Sequence, residues 1–171
     1  MDYHSFETER LILKPTGIED TEFIFQLLNS PKWIQFIGDR NVRTSDDAKI
    51  YIQNRMLPQL EKCGFSNYTV IQKEDQTKIG TCGLYSREGM ENIDIGFAFL
   101  PEFEKKGFAF EAASKLLYEA KNTFKINHLD AFTTKDNYDS QKLLEKLGLK
   151  KSGLIRIPND DEELILYQIE L

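Results

Sequence analysis

Between Gly64 and Asn122 the hydrophobic period of the sequence changes once, and that change limits the available folds. Three strand-like runs, GFSNYTVIQK, TKIGTCGLYS and ENIDIGFAFL, are separated only by the polar turns Glu74-Asp75-Gln76 and Arg87-Glu88-Gly89. Such short links predict an antiparallel meander. Immediately afterwards Ala109, Ala112, Ala113, Leu116, Leu117 and Ala120 recur at helical spacing, which predicts a helix from about Gly107 to Asn122. Its small-residue face should lie close against the sheet.

The flanking segments extend the pattern in both directions. RLILKP, from Arg10 to Pro15, reads as a strand, and GIEDTEFIFQLLNSP as a helix with Ile24, Leu27 and Leu28 on one face. Thr44 or Ser45 is placed to cap a long helix from about Asp46 to Lys62, which Pro58 should bend. HLDAFTT is a fifth strand, DNYDSQKLLEKLGLK a helix stopped at Gly148, and SGLIRIP and EELILYQIEL are final strands. Seven strands and four helices follow, with no repeat, linker or low-complexity segment. A single domain spanning residues 1–171 is expected, long enough to bury roughly two-thirds of its unfolded surface.

Charge and cysteine content exclude several function classes. The formal charge of −6 disfavours nonspecific nucleic-acid or anionic-membrane binding, since lysine and arginine supply the phosphate contacts in such complexes. Cys63 and Cys82 are too few for a disulfide framework in a chain of this length. The polar start MDYHSFETERLILKP lacks a signal-peptide pattern and no apolar run approaches membrane-spanning length, so a cytoplasmic location is expected. His4 and His128 are far apart in sequence, which gives no support to a metal site or a Ser-His-Asp arrangement.

Two stretches carry candidate chemistry. From Ile93 to Leu100 the side chains alternate, with Ile93, Ile95, Phe97 and Phe99 on one face and Asp94, Gly96, Ala98 and Leu100 on the other. The barer face admits either an extended ligand or the close packing of the alanine-rich helix. Glu104-Lys105-Lys106-Gly107-Phe108-Ala109 then leads into that helix, whose first N–H groups lack intrahelical partners and point out of a positive dipole end. Gly107 removes the Cβ that would obstruct an anion approaching the backbone. Neither the P-loop nor the dinucleotide-binding glycine pattern occurs. About 30 residues further on, Asn137, Tyr138 and Ser140 open another helix, with Asp136 or Asn137 as its cap.

Taken in order, TERLILKP, IDIGFAFLPEFEKKGFAFEA, the N-x-x-S-x-x-x-L-E-K-L-G segment and ELILYQIEL resemble the GCN5-related N-acetyltransferase (GNAT) superfamily. Within it they look like the branch of ribosomal-protein N-terminal acetyltransferases. The resemblance covers nearly the whole chain. It implies a mixed α/β (α+β) fold, with a mostly antiparallel seven-stranded sheet splayed open after its fourth strand and about four flanking helices. It also implies acetyl-CoA as cosubstrate, no metal, an amine acceptor, and a monomer or homodimer, since both occur in the superfamily. By the same match Phe99 and Leu100 line the pantetheine end, Lys105, Lys106, Gly107, Phe108, Ala109 and Phe110 wrap the diphosphate, and Asn137 hydrogen-bonds the pantetheine arm.

The chain departs from the family pattern in three places. The [QR]-x-x-G-x-[GA] signature has Glu104 at its first position and Lys106 where this branch often has glycine. The tyrosine that many members use as general acid is Leu144 here, and Asp94 stands where relatives often show glutamate. Acetyl transfer from a thioester to an amine needs a neutral amine, pre-aimed donors for the oxyanion and a proton for the departing thiolate. Backbone N–H groups from Phe97 to Leu100 are candidates for the donors. Asp94 is the candidate base, directly or through water, with a structural hydrogen bond as the alternative. Ser140 is the first candidate acid by family position; Tyr138 is the second, or a wall on the substrate side. Cys63 and Cys82 lack an adjacent histidine and read as packing residues rather than nucleophiles. The acceptor is a primary amine, either a protein or peptide α-amino group or a small molecule such as a polyamine, antibiotic or amino acid. A CoA-binding module without turnover is the competing class.

Overall fold

The computed structural model describes residues 2–171. One mixed sheet runs through it in the spatial order β1-β2-β3-β4-β5-β6-β8-β7. Its strands are β1 (Phe6–Glu7), β2 (Leu11–Pro15), β3 (Asn67–Gln72), β4 (Lys78–Tyr85), β5 (Asp94–Phe99), β6 (His128–Thr133), β7 (Lys150–Ile155) and β8 (Leu164–Glu170). Seven strands were expected and eight form, the addition being the two-residue β1, which pairs antiparallel with β2. A run this short carries no alternation that a sequence could reveal.

Six α-helices form among the described residues where four helices were expected: α1 (Thr21–Leu28), α2 (Pro31–Phe36), α3 (Ser45–Tyr51), α4 (Leu57–Cys63), α5 (Phe108–Asn122) and α6 (Tyr138–Lys146). Pro31 opens α2 at a position where its missing N–H costs nothing. The long helix over 46–62 exists but is divided, because a π-helical turn at Ile52–Met56 separates α3 from α4. Pro58 lies just beyond that turn; its ring would clash with a carbonyl four residues back in a regular helix, and a widened turn relieves this. Thr44 caps α3, accepting a hydrogen bond from the Asp47 amide at 3.1 Å.

Each face of the sheet has its own core. On one face Ala112, Ala113 and Ala120 of α5, together with Leu116, are fully buried against Leu13, Tyr68, Ile79, Cys82, Ile95 and Phe99. On the other, Ile24, Leu27 and Leu28 of α1 join Ala48, Ile52 and Leu100. Alternation along β5 therefore sends Ile95 and Phe99 under α5 and Ala98 and Leu100 under α1 and α3.

β5 and β6 are parallel and share only one registered pair, Asp94 with Asp130. The Asp130 amide donates to the Ile93 carbonyl at 3.0 Å, and beyond this point the strands part. All other neighbouring strands pair over longer stretches, so the sheet opens into a V at β5 and β6.

Candidate functional site

The V exposes one edge of β5. The Leu100 amide donates to the Ile79 carbonyl at 2.9 Å, which fixes the parity of the β4–β5 ladder. Even-numbered residues from Asp94 to Leu100 direct their backbone groups to β4, so Ile95, Phe97 and Phe99 direct theirs into the V. Leu100 and Ala98 consequently leave the set of expected oxyanion donors, because the ladder already uses their amides. Leu100 is buried beneath α1 and α3, and Phe99 lies in the α5 core. On the opposite bank the buried hydroxyls of Thr133 and Thr134 have no protein partner.

The barer face of β5 is not open. The Tyr85 ring lies across Gly83 and Gly96, so that a Cβ on Gly96 would come within 3.1 Å of the ring and one on Gly83 within 2.5 Å. Tyr85 fills the space over both glycines, which leaves no room there for α5 or for an extended ligand. Its phenol donates to Asn67 Oδ1 at 2.6 Å, Asn67 Nδ2 donates to Thr16 Oγ1 at 2.8 Å, and Thr16 meets Thr69. None of these four residues was singled out by sequence, since each is an ordinary strand residue until register brings them together.

Asp94 sits at the apex of the V with 2% of its surface exposed. Arg87 grips it, Nε donating to Oδ1 at 2.8 Å and Nη2 to Oδ2 at 3.1 Å. Burial nevertheless holds its carboxyl above the ordinary carboxylate value; the Arg87 hydrogen bonds and charge oppose that shift, and the nearby Asp130 charge adds to it. Asp130 is itself buried, taking hydrogen bonds from Gln168 Nε2 at 2.9 Å and Asn92 Nδ2 at 3.3 Å and facing His128 Nε2 at 2.8 Å. His128, unpaired in sequence, is thus held between Asp130 and Glu170.

The turn before α5 is built on two left-handed residues, Lys105 (φ 58°) and Gly107 (φ 83°). Gly107 is the N-cap of α5 and no side chain caps the helix, which leaves the amides of Phe108, Ala109 and Phe110 without intrahelical acceptors. Lys105, Lys106 and Gly107 are exposed, whereas the Phe108 side chain is buried in the core and only its backbone faces the turn. Ala109 and Phe110 are half-buried, with Lys146 Nζ 4.2 Å from the Phe110 ring centre.

Arg10 is the residue at this turn that sequence missed. Its Nη1 donates to the Lys106 carbonyl at 3.1 Å, its Nε donates to Glu111 Oε2 at 2.7 Å, and its guanidinium lies 4.3 Å from the Phe108 ring centre. Glu111, in the first turn of α5, also accepts from Thr8 Oγ1 at 2.6 Å. An open groove of about 630 Å³ runs along this outer side of α5, bordered by Arg10, Gly107, Phe110 and Glu111. It adjoins the turn but is separate from the V.

At the start of α6, Asn137 caps the helix through Oδ1, which accepts from the Ser140 amide at 3.3 Å. Tyr138 is 66% exposed, and Ser140 is half-buried. Leu144, at the position of the family tyrosine, is 1% exposed within the α5 core. Cys82 is fully buried and its thiol is pushed up to about 12 by burial, which suits packing and not nucleophilic attack. Among the described residues no group of three or more His, Cys, Asp or Glu is arranged to hold a metal ion.

The acetyltransferase (GNAT) domain family matches residues 10–150. The chain belongs to this family. Its relatives include the uncharacterized N-acetyltransferase p20 of Bacillus licheniformis, 32% identical over 152 residues that cover 87% of this chain and 84% of p20. An acetyltransferase of the GNAT family from Bacillus anthracis superposes with a TM-score of 0.80 at 24% identity, covering 98% of each chain. RimL, a ribosomal L7/L12 alpha-N-protein acetyltransferase solved in complex with coenzyme A, gives a TM-score of 0.82 at 15% identity, again over 98% of each chain. The GNAT protein is thus an N-acetyltransferase by family, and its sheet shares the fold of RimL. No helix among the described residues is long and apolar enough to cross a membrane.

Proposed function

We propose that this GNAT protein transfers the acetyl group of acetyl-CoA directly to a primary amine, with a protein or peptide N-terminal α-amino group as the preferred acceptor. The observation that carries it is the parting of β5 and β6 beyond Asp94, which leaves the Ile95 carbonyl and the backbone groups of Phe97 and Phe99 unpaired beside the uncapped turn at Gly107. An extended, amide-bearing arm ending in a diphosphate matches both features. The arm would pair with the β5 edge, and the diphosphate would rest on the amides of Phe108, Ala109 and Phe110. Acetyl-CoA supplies the activated acyl group.

The chain's own groups do the rest. The Phe97 amide is the donor fixed in the V for the carbonyl oxygen that gains charge, and the Phe99 amide is left to pair with the arm. Asp94, ionised and held by Arg87, takes the proton of the amine directly or through water; its raised pKa makes it a better base than an exposed aspartate. Ser140 is the proton donor to the departing thiolate, and Tyr138, standing in solvent, walls the acceptor side. A backbone-lined site with fixed donors suits turnover better than storage, which is why catalysis is preferred to a CoA-binding module.

The test is thiol release from acetyl-CoA across a panel of peptides and small amines. Release with N-terminal peptides supports the α-amino reading, and release confined to polyamines, amino acids or aminoglycosides replaces that acceptor. CoA binding without release from any amine would leave a binding module.

A further inference from the structure

Glu104 places a carboxylate in the turn proposed above to hold a diphosphate, a position where the family signature carries glutamine or arginine. The structure contains an answer to that charge, and it comes from a distant segment. Lys32 of α2 forms an ion pair with Glu104, and the same ammonium stands 3.7 Å from Asp139 in the first turn of α6. The Glu104 side chain is the less exposed partner, at 22% against 43% for Lys32, so solvent screens the carboxylate only in part. Lys105 and Lys106, though adjacent in sequence, are exposed and make no ion pair among the described residues. Lys106 instead lies with Nζ 5.8 Å from the Phe103 ring centre.

We propose that Lys32 is a specificity-determining residue for diphosphate-bearing cofactors. It neutralises Glu104 from α2 and so restores to the turn the charge that the family signature supplies locally. The proposal rests on the assignment of CoA to this cleft. Because Glu104 belongs to the β5 bank and Asp139 to the β6 bank, the lysine also spans the mouth of the V. Its effect is confined to ligands that bring phosphate to the turn, since the pantetheine arm meets uncharged backbone.

The experiment is calorimetric titration of CoA into the wild type, Lys32→Met, Glu104→Gln and the double variant, with melting temperatures recorded for each. Acetyl transfer from S-acetylpantetheine, which lacks the diphosphate, is measured in parallel. Lys32→Met is expected to weaken CoA binding about tenfold, the scale of one lost charge-assisted interaction. Glu104→Gln should bind at least as well as wild type, and the double variant should return to within about threefold of it. The KM for S-acetylpantetheine should be the same in all four. The proposal is overturned if the wild type binds CoA and Lys32→Met binds it equally well. It is also overturned if Glu104→Gln fails to rescue Lys32→Met, or if the S-acetylpantetheine KM rises in step with the CoA dissociation constant. Absence of CoA binding to the wild type would instead remove the assignment of the cleft itself.

Discussion

Arg87 holds both carboxylate oxygens of Asp94 at the residue where β5 and β6 last touch. A base must be ionised to act, so the rate should rise with pH through the Asp94 pKa, which burial keeps above the ordinary value. Arg87→Met removes a stabiliser of the charged form, and the acidic limb of kcat/KM should move to higher pH. Asp94→Asn should lower kcat by roughly 10²–10⁴, the usual contribution of a positioned base. An unshifted limb in Arg87→Met together with a loss under tenfold in Asp94→Asn would reduce the pair to a structural brace.

Gly107→Val should weaken CoA binding far more than Lys105→Ala. Gly107 has φ 83°, and a Cβ there would stand 3.3 Å from Arg10 Nη2, so valine strains the turn and disturbs the helix amides. Loss of one charge-assisted contact at that backbone corresponds to about 10–100-fold in affinity, whereas one exposed lysine is worth under about fivefold. Isothermal titration distinguishes the two, and equal losses would mean that the turn does not bind through its backbone.

Ser140→Ala should lower kcat by about tenfold or more with the melting temperature unchanged, as expected of a proton donor that supports no other group. Tyr138→Phe, at a side chain standing in solvent, should leave kcat alone. A steady-state comparison with one good acceptor settles the roles, and the opposite ranking would transfer the acid to Tyr138.

Arg10→Ala should destabilise the fold by about 1–2 kcal/mol, through loss of its ion pair to Glu111 and its cation–π contact with Phe108. Because Arg10 Nη1 also ties down the Lys106 carbonyl, CoA affinity should fall with it. Urea denaturation reads the first effect and titration the second; a stability loss with unchanged affinity would confine Arg10 to holding β2 on α5.

The His128 pKa is raised above 6.5, chiefly by Glu170 and then by Asp130, with burial opposing them. A raised folded-state value means the stabilisation is complete below the unfolded pKa and is lost as pH rises through the folded one. The melting temperature should therefore decline as pH is taken upward from 6.5, and His128→Gln should flatten that decline. Equal slopes in the two proteins would show that the clamp across β6 and β8 holds without charge.

The helices and strands were legible wherever a period ran for several turns, as in α5, whose predicted span from Gly107 differs by one residue from Phe108–Asn122. What depended on register was not. Gly96 and Ala98 look equally bare in sequence, yet Gly96 lies under Tyr85 while Ala98 packs beneath α1 and α3. Leu100 matches the family position for a cofactor contact, but its amide is consumed by β4. Lys32 and Arg10 stand 72 and 101 residues from their acidic partners, and nothing local marks either. A one-residue slip of β5 would exchange every donor in the V, and no composition or motif records which half of the ladder faces outward.

The unpaired edge of β5 has a second meaning as solution chemistry. A strand with free N–H and C=O groups is a template for any other chain, and natural sheets cover such edges. Under the proposed assignment the cover is CoA, which would then act as a removable edge cap. The empty protein should then be the form that associates on concentration, and adding CoA should disperse it.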